Sequence, residues 1–206
     1  MRIVVTRPRG QEEGLVAALE ALGHQVVSCP LIAIEPLGDE PIDVSGYDWV
    51  VLTSANGARE LRRRLVGELP RIAAIGAATA AAFGGADLVP RVSTQEGLLE
   101  DLPQPAGRVL FAAAEGARRV LPDALGADII ALYRTRELHP RVPDADLYVI
   151  ASASAARALG NALPAVRVVS IGPETSLAAS DSGLDVVAEA AAHSVDGLVE
   201  AVAGLR

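Results

Sequence analysis

Short apolar runs recur along the chain and alternate with segments of helical periodicity. The runs cover residues 3–6, 25–29, 49–53, 72–75, 109–112, 129–132, 148–151 and 168–171. Continuous apolar runs of this length are typical of strands that are buried on both faces of a parallel sheet. Between them lie segments such as EEGLVAALEALG, where Leu and Ala recur at helical spacing and Gly23 stands at the C-terminal cap. The alternation predicts an α/β protein with open, doubly wound parallel sheets.

The chain also repeats itself in an interleaved order. Three matches define one kind of segment, B: DWVVLTSANGAREL with DLYVIASASAARAL, RIAAIGAATAAA with RVVSIGPETSLA, and STQEGLLE with HSVDGLVE. Two further matches define a second kind, A: RIVVTRPRG with RVLFAAAEG, and ALGHQVVSCPLI with ALGADIIALYRT. The order along the chain is A, B, A′, B′. Segment A supplies two strands and segment B three, so one A and one B predict a five-stranded parallel sheet.

The residues alone leave the pairing of these segments open. Tandem pairing joins A with B and A′ with B′ in two consecutive halves. Wrapped pairing joins B with A′ in the middle of the chain and A with B′ across the termini. In the wrapped arrangement the chain crosses between its halves near residues 31–36 and 133–138, two segments that look extended.

Composition narrows the classes of function. The net charge is −8 and aromatic residues make up 3% of the chain. A nucleic-acid binder is therefore not expected, because it needs a basic surface and aromatic platforms for the bases. All 18 basic residues are arginine, and the chain has neither lysine nor a Gly-rich phosphate motif. Nucleotide binding of the usual kinds is not expected either.

The sequence predicts no metal site and no disulfide. Cys29 is the single cysteine, which excludes an intrachain disulfide and a Cys-based zinc site. His24, His139 and His193 are scattered without ligand spacing or a catalytic arrangement. The N-terminus shows no signal-like apolar stretch, and no apolar run approaches the roughly 20 residues of a membrane helix. We therefore expect a soluble, cytoplasmic protein.

Small polar residues follow two of the predicted strands at matched positions. Thr53, Ser54, Ala55 and Asn56 follow one strand, and residues 151–155 follow its repeat. Ligands of open α/β sheets bind beyond the carboxyl ends of the strands, where helix N-termini offer free N–H groups. A single such segment is best explained as a helix N-cap. Two facing copies favour a site that binds an anion.

A second matched pair of turns begins with Ile-Gly. Residues 75–79 read IGAAT and residues 171–175 read IGPET. Glycine allows the backbone to approach a ligand closely, proline suits the first helical turn, and threonine can cap the helix or contact a substrate. The cluster Arg62, Arg63 and Arg64 is interpreted as the solvated face of a helix, with steering of an anion as the alternative.

The ordered set VVTRPRGQ, VVLTSANGAR, AAIGAATA, STQEGLLE, EGARRVLPDAL, LYRT, SIGPETS and SVDGLVE resembles the uroporphyrinogen-III synthase family along the whole chain. The resemblance implies two similar flavodoxin-like sheets, joined by a two-stranded linker, with a cleft between them. It selects the wrapped pairing, with residues 1–34 plus 136–206 in a discontinuous domain and residues 35–135 in an inserted one.

The resemblance also implies the reaction and the site. The substrate is hydroxymethylbilane, a linear tetrapyrrole with eight carboxylates, which is closed to uroporphyrinogen III with loss of water and inversion of its last ring. No cofactor is implied, and we expect a monomer that makes at most transient contact with the preceding pathway enzyme. The implied substrate contacts are Arg7, Thr53, Ser54, Ala55, Asn56, Ser152, Ala153, Ser154, Gly172 and Thr175.

Tyr133, the tyrosine of LYRT, has two interpretations that the sequence leaves open. In one it donates a proton to the departing hydroxyl, and in the other it packs on the hinge. Two departures from the family pattern lie at strand ends: alanines at Ala112 and Ala113 where relatives often carry Pro-Arg, and Ala153 where a proline is frequent. A reduced activity or simple drift would account for both.

Two other classes of function fit parts of the pattern. A non-catalytic, two-lobed binding protein for a small polyanion would need no orthodox catalytic group. A nucleotide-sugar transferase with two facing lobes would need the phosphate motif that the chain lacks.

Overall fold

The structure is a computed structural model that describes residues 1–205. Its elements in chain order are β1 (Arg2–Val5), α1 (Glu13–Ala21), β2 (Gln25–Ser28), β3 (Ile32–Pro36), β4 (Ile42–Asp43), β5 (Trp49–Leu52), α2 (Ala55–Arg64), β6 (Leu65–Val66), β7 (Arg71–Ala74), α3 (Ala77–Phe83), α4 (Gln95–Asp101), β8 (Val109–Ala114), α5 (Val120–Leu125), β9 (Asp128–Glu137), β10 (Leu147–Ile150), α6 (Ala153–Ala162), β11 (Arg167–Ser170), α7 (Pro173–Asp181), β12 (Asp185–Glu189) and α8 (Val195–Ala203).

The chain divides into two compact units. The discontinuous unit comprises Met1–Ala33 with Thr135–Arg206, and the inserted unit comprises Ile34–Arg134. The eight apolar runs predicted as strands all coincide with strands of the structure, and β3, β4, β6 and β12 are additional.

The sheet of the discontinuous unit has five parallel strands in the order β12-β11-β10-β1-β2. Strand β1 lies directly beside β10, with Ile3 opposite Leu147 and Val5 opposite Val149. Segments from the two ends of the chain thus share one sheet. Alternate strand residues pack into separate apolar clusters on the two faces of the sheet, as expected for strands that are buried on both sides.

The sheet of the inserted unit differs from the expected five parallel strands. Four strands, in the order β9-β8-β5-β7, are parallel. The fifth place beyond β7 is reduced to a single bridge between Ala73 and Leu88. The preceding glycines, Gly84 and Gly85, have φ angles of 107° and 136°, and Pro90 has no N–H, so this segment cannot extend a ladder.

The linker strand β3 takes the opposite edge of that sheet, beside β9. The N–H of Leu37 donates to the carbonyl oxygen of Leu132 at 2.9 Å, and the N–H of Leu138 donates to that of Leu31 at 2.8 Å. Partner numbers rise on one strand as they fall on the other, so β3 and β9 run antiparallel. The two crossings of the chain are therefore paired to each other, as the sequence predicts.

Each unit holds its central strand pair with the same carboxylate contact. The Asp48 carboxylate accepts a hydrogen bond from the backbone N–H of Arg108 at 2.7 Å, between the starts of β5 and β8. The Asp146 carboxylate accepts one from the N–H of Arg2 at 2.7 Å, between the starts of β10 and β1. The repeated aspartate therefore fixes the register of two parallel strands at their amino ends in both units.

Candidate functional site

Two matched helices begin at the carboxyl edges of the sheets with a serine cap. In the inserted unit the Ser54 Oγ accepts a hydrogen bond from the N–H of Gly57 at 3.0 Å at the start of α2. In the discontinuous unit the Ser152 Oγ accepts one from the N–H of Ala155 at 3.2 Å at the start of α6. Each serine satisfies one of the N–H groups that have no partner within the helix. The other amides of the first turn lie at the positive end of the helix dipole, which favours an anion.

A second pair of capped helices lies on the same two edges and was not among the predicted site residues. The Thr94 Oγ1 accepts from the N–H of Gly97 at 3.0 Å at the start of α4. The Ser194 Oγ accepts from the N–H of Gly197 at 3.0 Å at the start of α8. The signal was present in the sequence, because STQEG and HSVDG both place a hydroxyl three residues before the glycine.

The two Ile-Gly turns begin helices without a side-chain cap. At the start of α7 the N–H of Thr175 donates to the carbonyl oxygen of Gly172 at 3.0 Å. Thr175 is only 4% exposed, and Gly172 is also buried, with the imidazole of His193 against it. This turn therefore offers an anion its backbone more than the Thr175 side chain.

Arg7 lies just beyond β1 and is half-buried. The residue before it, Thr6, is buried and donates its hydroxyl to the carbonyl oxygen of Val149 at 3.0 Å. Because β1 and β10 are parallel neighbours, Arg7 follows one strand at the edge where Ser152, Ala153 and Ser154 follow the other. Thr53, Ala55 and Asn56 are half-buried beside Ser54 in the inserted unit.

Tyr133 is joined to Ser54 by a hydrogen bond. Its hydroxyl lies 2.8 Å from the Ser54 Oγ, and its ring is 6% exposed within the apolar cluster that contains Leu52 and Ala58. Burial raises the pKa of Tyr133 above its ordinary value of 10.0, and the contact with Ser54 offsets only part of that rise. The phenol is therefore neutral and held against the N-cap of α2.

The discontinuous unit contains a polar chain that the sequence analysis missed. The Ser170 Oγ, at the end of β11, lies 2.6 Å from the Ser176 Oγ in α7. Ser176 in turn donates its hydroxyl to the carboxylate of Glu189, at the end of β12. The three residues come from separate elements, so sequence spacing does not reveal the contact. The one signal in the sequence is a difference between the two IG repeats, in which serine in one copy aligns with alanine in the other.

The interpretation of the arginine cluster as a solvated face is wrong for Arg64. This residue is 8% exposed and donates from Nε to the carbonyl oxygen of Glu40 at 2.8 Å. Arg62 donates to the carbonyl oxygen of Phe83 at 2.7 Å, where α3 ends. A guanidinium group has several N–H donors and can therefore bind backbone carbonyl oxygens that have no other partner at chain turns. Arg62 and Arg64 use their donors in this way.

No group of three His, Cys, Asp or Glu residues capable of holding a metal ion is found among residues 1–205. Cys29 is buried, and burial raises the pKa of its thiol, as suits a small core residue. Within the same residues no helix is both long and apolar enough to cross a bilayer.

A cavity of about 560 Å³ lies in the discontinuous unit away from this edge. Its lining includes Arg2, which begins β1, Asp144, which precedes β10, and Leu163, which follows α6. It therefore opens at the amino ends of the strands, opposite the capped helices.

Comparisons with known proteins agree with one another. The family model described as uroporphyrinogen-III synthase HemD matches residues 13–200. A uroporphyrinogen-III synthase from Synechococcus elongatus is 29% identical over 246 aligned positions, covering 97% of this chain and 93% of the relative. A putative uroporphyrinogen-III synthase from Methanocaldococcus jannaschii is 26% identical over 151 positions, covering 66% of this chain and 63% of the relative.

A solved structure supports the fold. A mutant uroporphyrinogen III synthase from the extremely thermophilic bacterium Thermus thermophilus superposes with a TM-score of 0.65 at 18% identity, covering 99% of this chain and 98% of that one. The interleaved repeat, the two α/β sheets with their paired linker strands and the family match over most of the length lead to one assignment. The chain belongs to the uroporphyrinogen-III synthase family.

Proposed function

We propose that this protein is a uroporphyrinogen-III synthase that closes hydroxymethylbilane to uroporphyrinogen III, with loss of water and inversion of the last ring. The observation that carries the proposal is the doubled set of hydroxyl-capped helix N-termini at the carboxyl edges of both sheets. The substrate has eight carboxylates. A chain with a net charge of −8 needs local positive sites to hold such a molecule, and helix N-termini provide them.

Substrate carboxylates would be bound mainly by backbone amides. Each capping hydroxyl accepts one N–H, and the first-turn amides at Ala55 in one unit and at Ala153 and Ser154 in the other are placed for an anion. Amides need no particular side chain, which is why Ala153 in place of the frequent proline is compatible with binding. Arg7 would add a guanidinium at the edge of the discontinuous unit.

The reaction begins when the terminal hydroxyl of the bilane leaves as water. Tyr133 is 6% exposed, so we place Ser54 between it and the substrate. Ser54 would give its proton to the departing hydroxyl and take the proton of Tyr133, while the bilane becomes a conjugated cation. Ring closure later releases a proton from a pyrrole carbon, which restores the phenol. The raised pKa of Tyr133 keeps that proton available until the hydroxyl departs.

We further propose that turnover needs no cofactor. Loss of water and attack of a pyrrole on the cation balance in atoms and electrons without an external oxidant, reductant or group donor. The protein then contributes positioning and electrostatic stabilisation. A cytoplasmic location, a monomeric state and transient contact with the enzyme that supplies the bilane remain parts of the proposal.

The deciding experiment supplies the protein with enzymatically generated hydroxymethylbilane and resolves the type I and type III isomers of the product. We expect type III to predominate over the type I product that forms spontaneously in a reaction without the protein. Type I product alone, at the spontaneous rate, would reject the synthase. Tight binding of the bilane with that same outcome would favour the alternative, a non-catalytic polyanion-binding protein.

A further inference from the structure

The hydrogen bonds of the Ser54 hydroxyl have a defined direction. Its Oγ accepts from the N–H of Gly57 at 3.0 Å and lies 2.8 Å from the hydroxyl of Tyr133. Tyr133 is 6% exposed, and within residues 1–205 Ser54 is the one hydrogen-bond partner of its hydroxyl. A buried O–H without an acceptor is costly, so Tyr133 donates and Ser54 accepts. Both lone pairs of the serine oxygen are then occupied, and its own hydrogen points away from both donors.

Gly57 lies where a side chain would disturb this arrangement. A Cβ on Gly57 would lie 3.1 Å from the Ser54 Oγ, 3.5 Å from the carbonyl oxygen of Ala112 and 3.7 Å from Cε1 of the Tyr133 ring. The two longer distances are ordinary van der Waals contacts. The distance to the serine oxygen is too short, so a methyl group would displace that oxygen by a few tenths of an ångström. The hydroxyl pair would be disturbed while the surrounding core stayed in place.

The matching helix of the discontinuous unit shows that a serine cap does not need this glycine. Ala155 takes the place of Gly57 in the repeated segments. The Ser152 Oγ still accepts a hydrogen bond from the N–H of Ala155, at 3.2 Å. In the same alignment Pro30 takes the place of Tyr133. The repeat with alanine at this position therefore has no tyrosine hydroxyl to align with its cap.

The glycines of the other two capped helices have a different cause. A Cβ on Gly97 would lie 2.3 Å from the carbonyl oxygen of Val92, and one on Gly197 would lie 2.1 Å from that of Ala192. The fold requires glycine there, and both copies of the repeat have it. Gly57 meets no backbone atom outside its own helix closer than 3.5 Å and occurs in one copy only. Backbone packing does not account for it.

We propose that Gly57 is a positioning residue, which keeps the Ser54 oxygen on the Tyr133 hydroxyl and the serine hydrogen free for the departing hydroxyl of the bilane. The inference rests on the proposed function. As the C–O bond breaks, Ser54 gives its proton to the hydroxyl, which leaves as water, and takes the proton of Tyr133. The proton that ring closure releases later restores the phenol. Gly57 itself exchanges no proton, and it acts by leaving the two oxygens 2.8 Å apart, within reach for proton transfer.

The test compares steady-state turnover of hydroxymethylbilane by the wild-type protein and by Gly57→Ala. We expect kcat for type III product to fall about tenfold, because misplacement by 1 Å can cost about 100-fold and the shift here is smaller. KM should be unchanged, since the added methyl group lies behind the serine. The melting temperature should be unchanged or higher, because alanine is the better helix former. A glycine with a purely structural role would lower the melting temperature instead.

Gly14→Ala is the matched control. It makes the same change in α1, where nothing lies within 4 Å of a Cβ, and it should leave kcat and KM as they are.

A double-mutant cycle shows whether Gly57 acts through Tyr133. Tyr133→Phe removes the hydroxyl that the methyl group would misalign, so Gly57→Ala should have no further effect in that background. We expect kcat of Tyr133→Phe and of the double variant to agree within about twofold. The isomer-resolved assay separates their residual type III product from the type I product that forms spontaneously.

The outcomes separate the two proposals. With type III product from the wild type, an unchanged kcat in Gly57→Ala overturns the role of Gly57 and leaves the synthase intact. An equal fall in both backgrounds also overturns it, because Gly57 would then act independently of Tyr133. Loss of cooperative unfolding in Gly57→Ala overturns it too, since the fold itself would need the glycine. Type I product alone from the wild type overturns the synthase and the role of Gly57 with it.

Discussion

At the scale of single residues, Tyr133 is the side chain whose position is most informative. Its ring packs in the core of the inserted unit while its hydroxyl reaches the cap of α2. The sequence left proton donation and packing on the hinge as alternatives. The observed contact joins the hydroxyl of a packed ring to a half-buried serine, so the two interpretations of Tyr133 do not exclude each other.

Tyr133→Phe tests that coupling. Phenylalanine keeps the packed ring and removes the hydroxyl, so the free energy of unfolding should fall by only about 1 kcal/mol, as for one hydrogen bond. If the phenol supplies the proton, kcat should fall by about 100-fold. The two quantities are measured by urea unfolding and by the isomer-resolved assay. Unchanged turnover in a stable variant would reject the proton donor.

Gly197 illustrates how closely the backbone approaches itself at a capped helix start. A Cβ there would lie 2.1 Å from the carbonyl oxygen of Ala192, which cannot move away without shifting the chain. We expect Gly197→Ala to lower the free energy of unfolding by about 2 kcal/mol or more. Gly14→Ala is the control, because Gly14 lies in α1 with nothing within 4 Å of a Cβ.

The control variant should raise stability instead of lowering it. Alanine exceeds glycine in helix propensity by about 1 kcal/mol, and the site in α1 is open. Both values come from urea denaturation followed by circular dichroism. Equal effects of the two substitutions would show that the close approach at Gly197 is relieved at no cost.

At the scale of elements, the aspartates that precede β5 and β10 make the same contact in both units: each carboxylate accepts a hydrogen bond from the backbone N–H at the start of the neighbouring strand. Asp48→Ala removes the acceptor of the Arg108 N–H and should lower the free energy of unfolding by about 1 to 2 kcal/mol. Asp39→Ala is the control, because its carboxylate is 87% exposed and pairs with Arg63 at the surface, where such pairs contribute little. A loss at Asp39 as large as that at Asp48 would contradict the assignment.

Much of the element pattern was predictable because buried parallel strands leave continuous apolar runs. Strand β12, which the repeat predicts as the third strand of its segment, was not among the apolar runs because it lies at the sheet edge, is only half-buried and has charged residues at both ends, Asp185 and Glu189. Strands β4 and β6 have two residues each, too few for any period.

The candidate site was predicted where its signal is local. A hydroxyl that caps its own helix is visible in the sequence, as at Ser54 and Ser152. The contact between Ser170, Ser176 and Glu189 was not, since it depends on how three elements pack. The burial of Arg64 was missed for a related reason. A run of arginines predicts a solvent-exposed helix face, and the backbone carbonyl oxygens that bind a guanidinium group become known only from the packed structure.

At the scale of the whole molecule, each unit has a hydrophobic core formed only by its own residues. Two apolar clusters lie entirely within the discontinuous unit, and two others lie entirely within the inserted unit. Residues 34–134 alone should therefore fold, since their clusters draw nothing from the rest of the chain. Cooperative urea unfolding and dispersed amide resonances of this fragment would bear this out, and a fragment without cooperative unfolding would contradict it.

The neighbours β1 and β10 set an order of events during synthesis. Strand β1 leaves the ribosome first, yet its partner on one side, β10, is made only after the whole inserted unit. Domains generally fold as units while the chain emerges. Residues 34–134 can therefore complete their sheet while β1 and β2 still lack the partner strand β10. The first strand made is thus among the last to be fully paired. A truncated chain of residues 1–140, released from the ribosome, should hold one finished α/β unit and one open sheet edge.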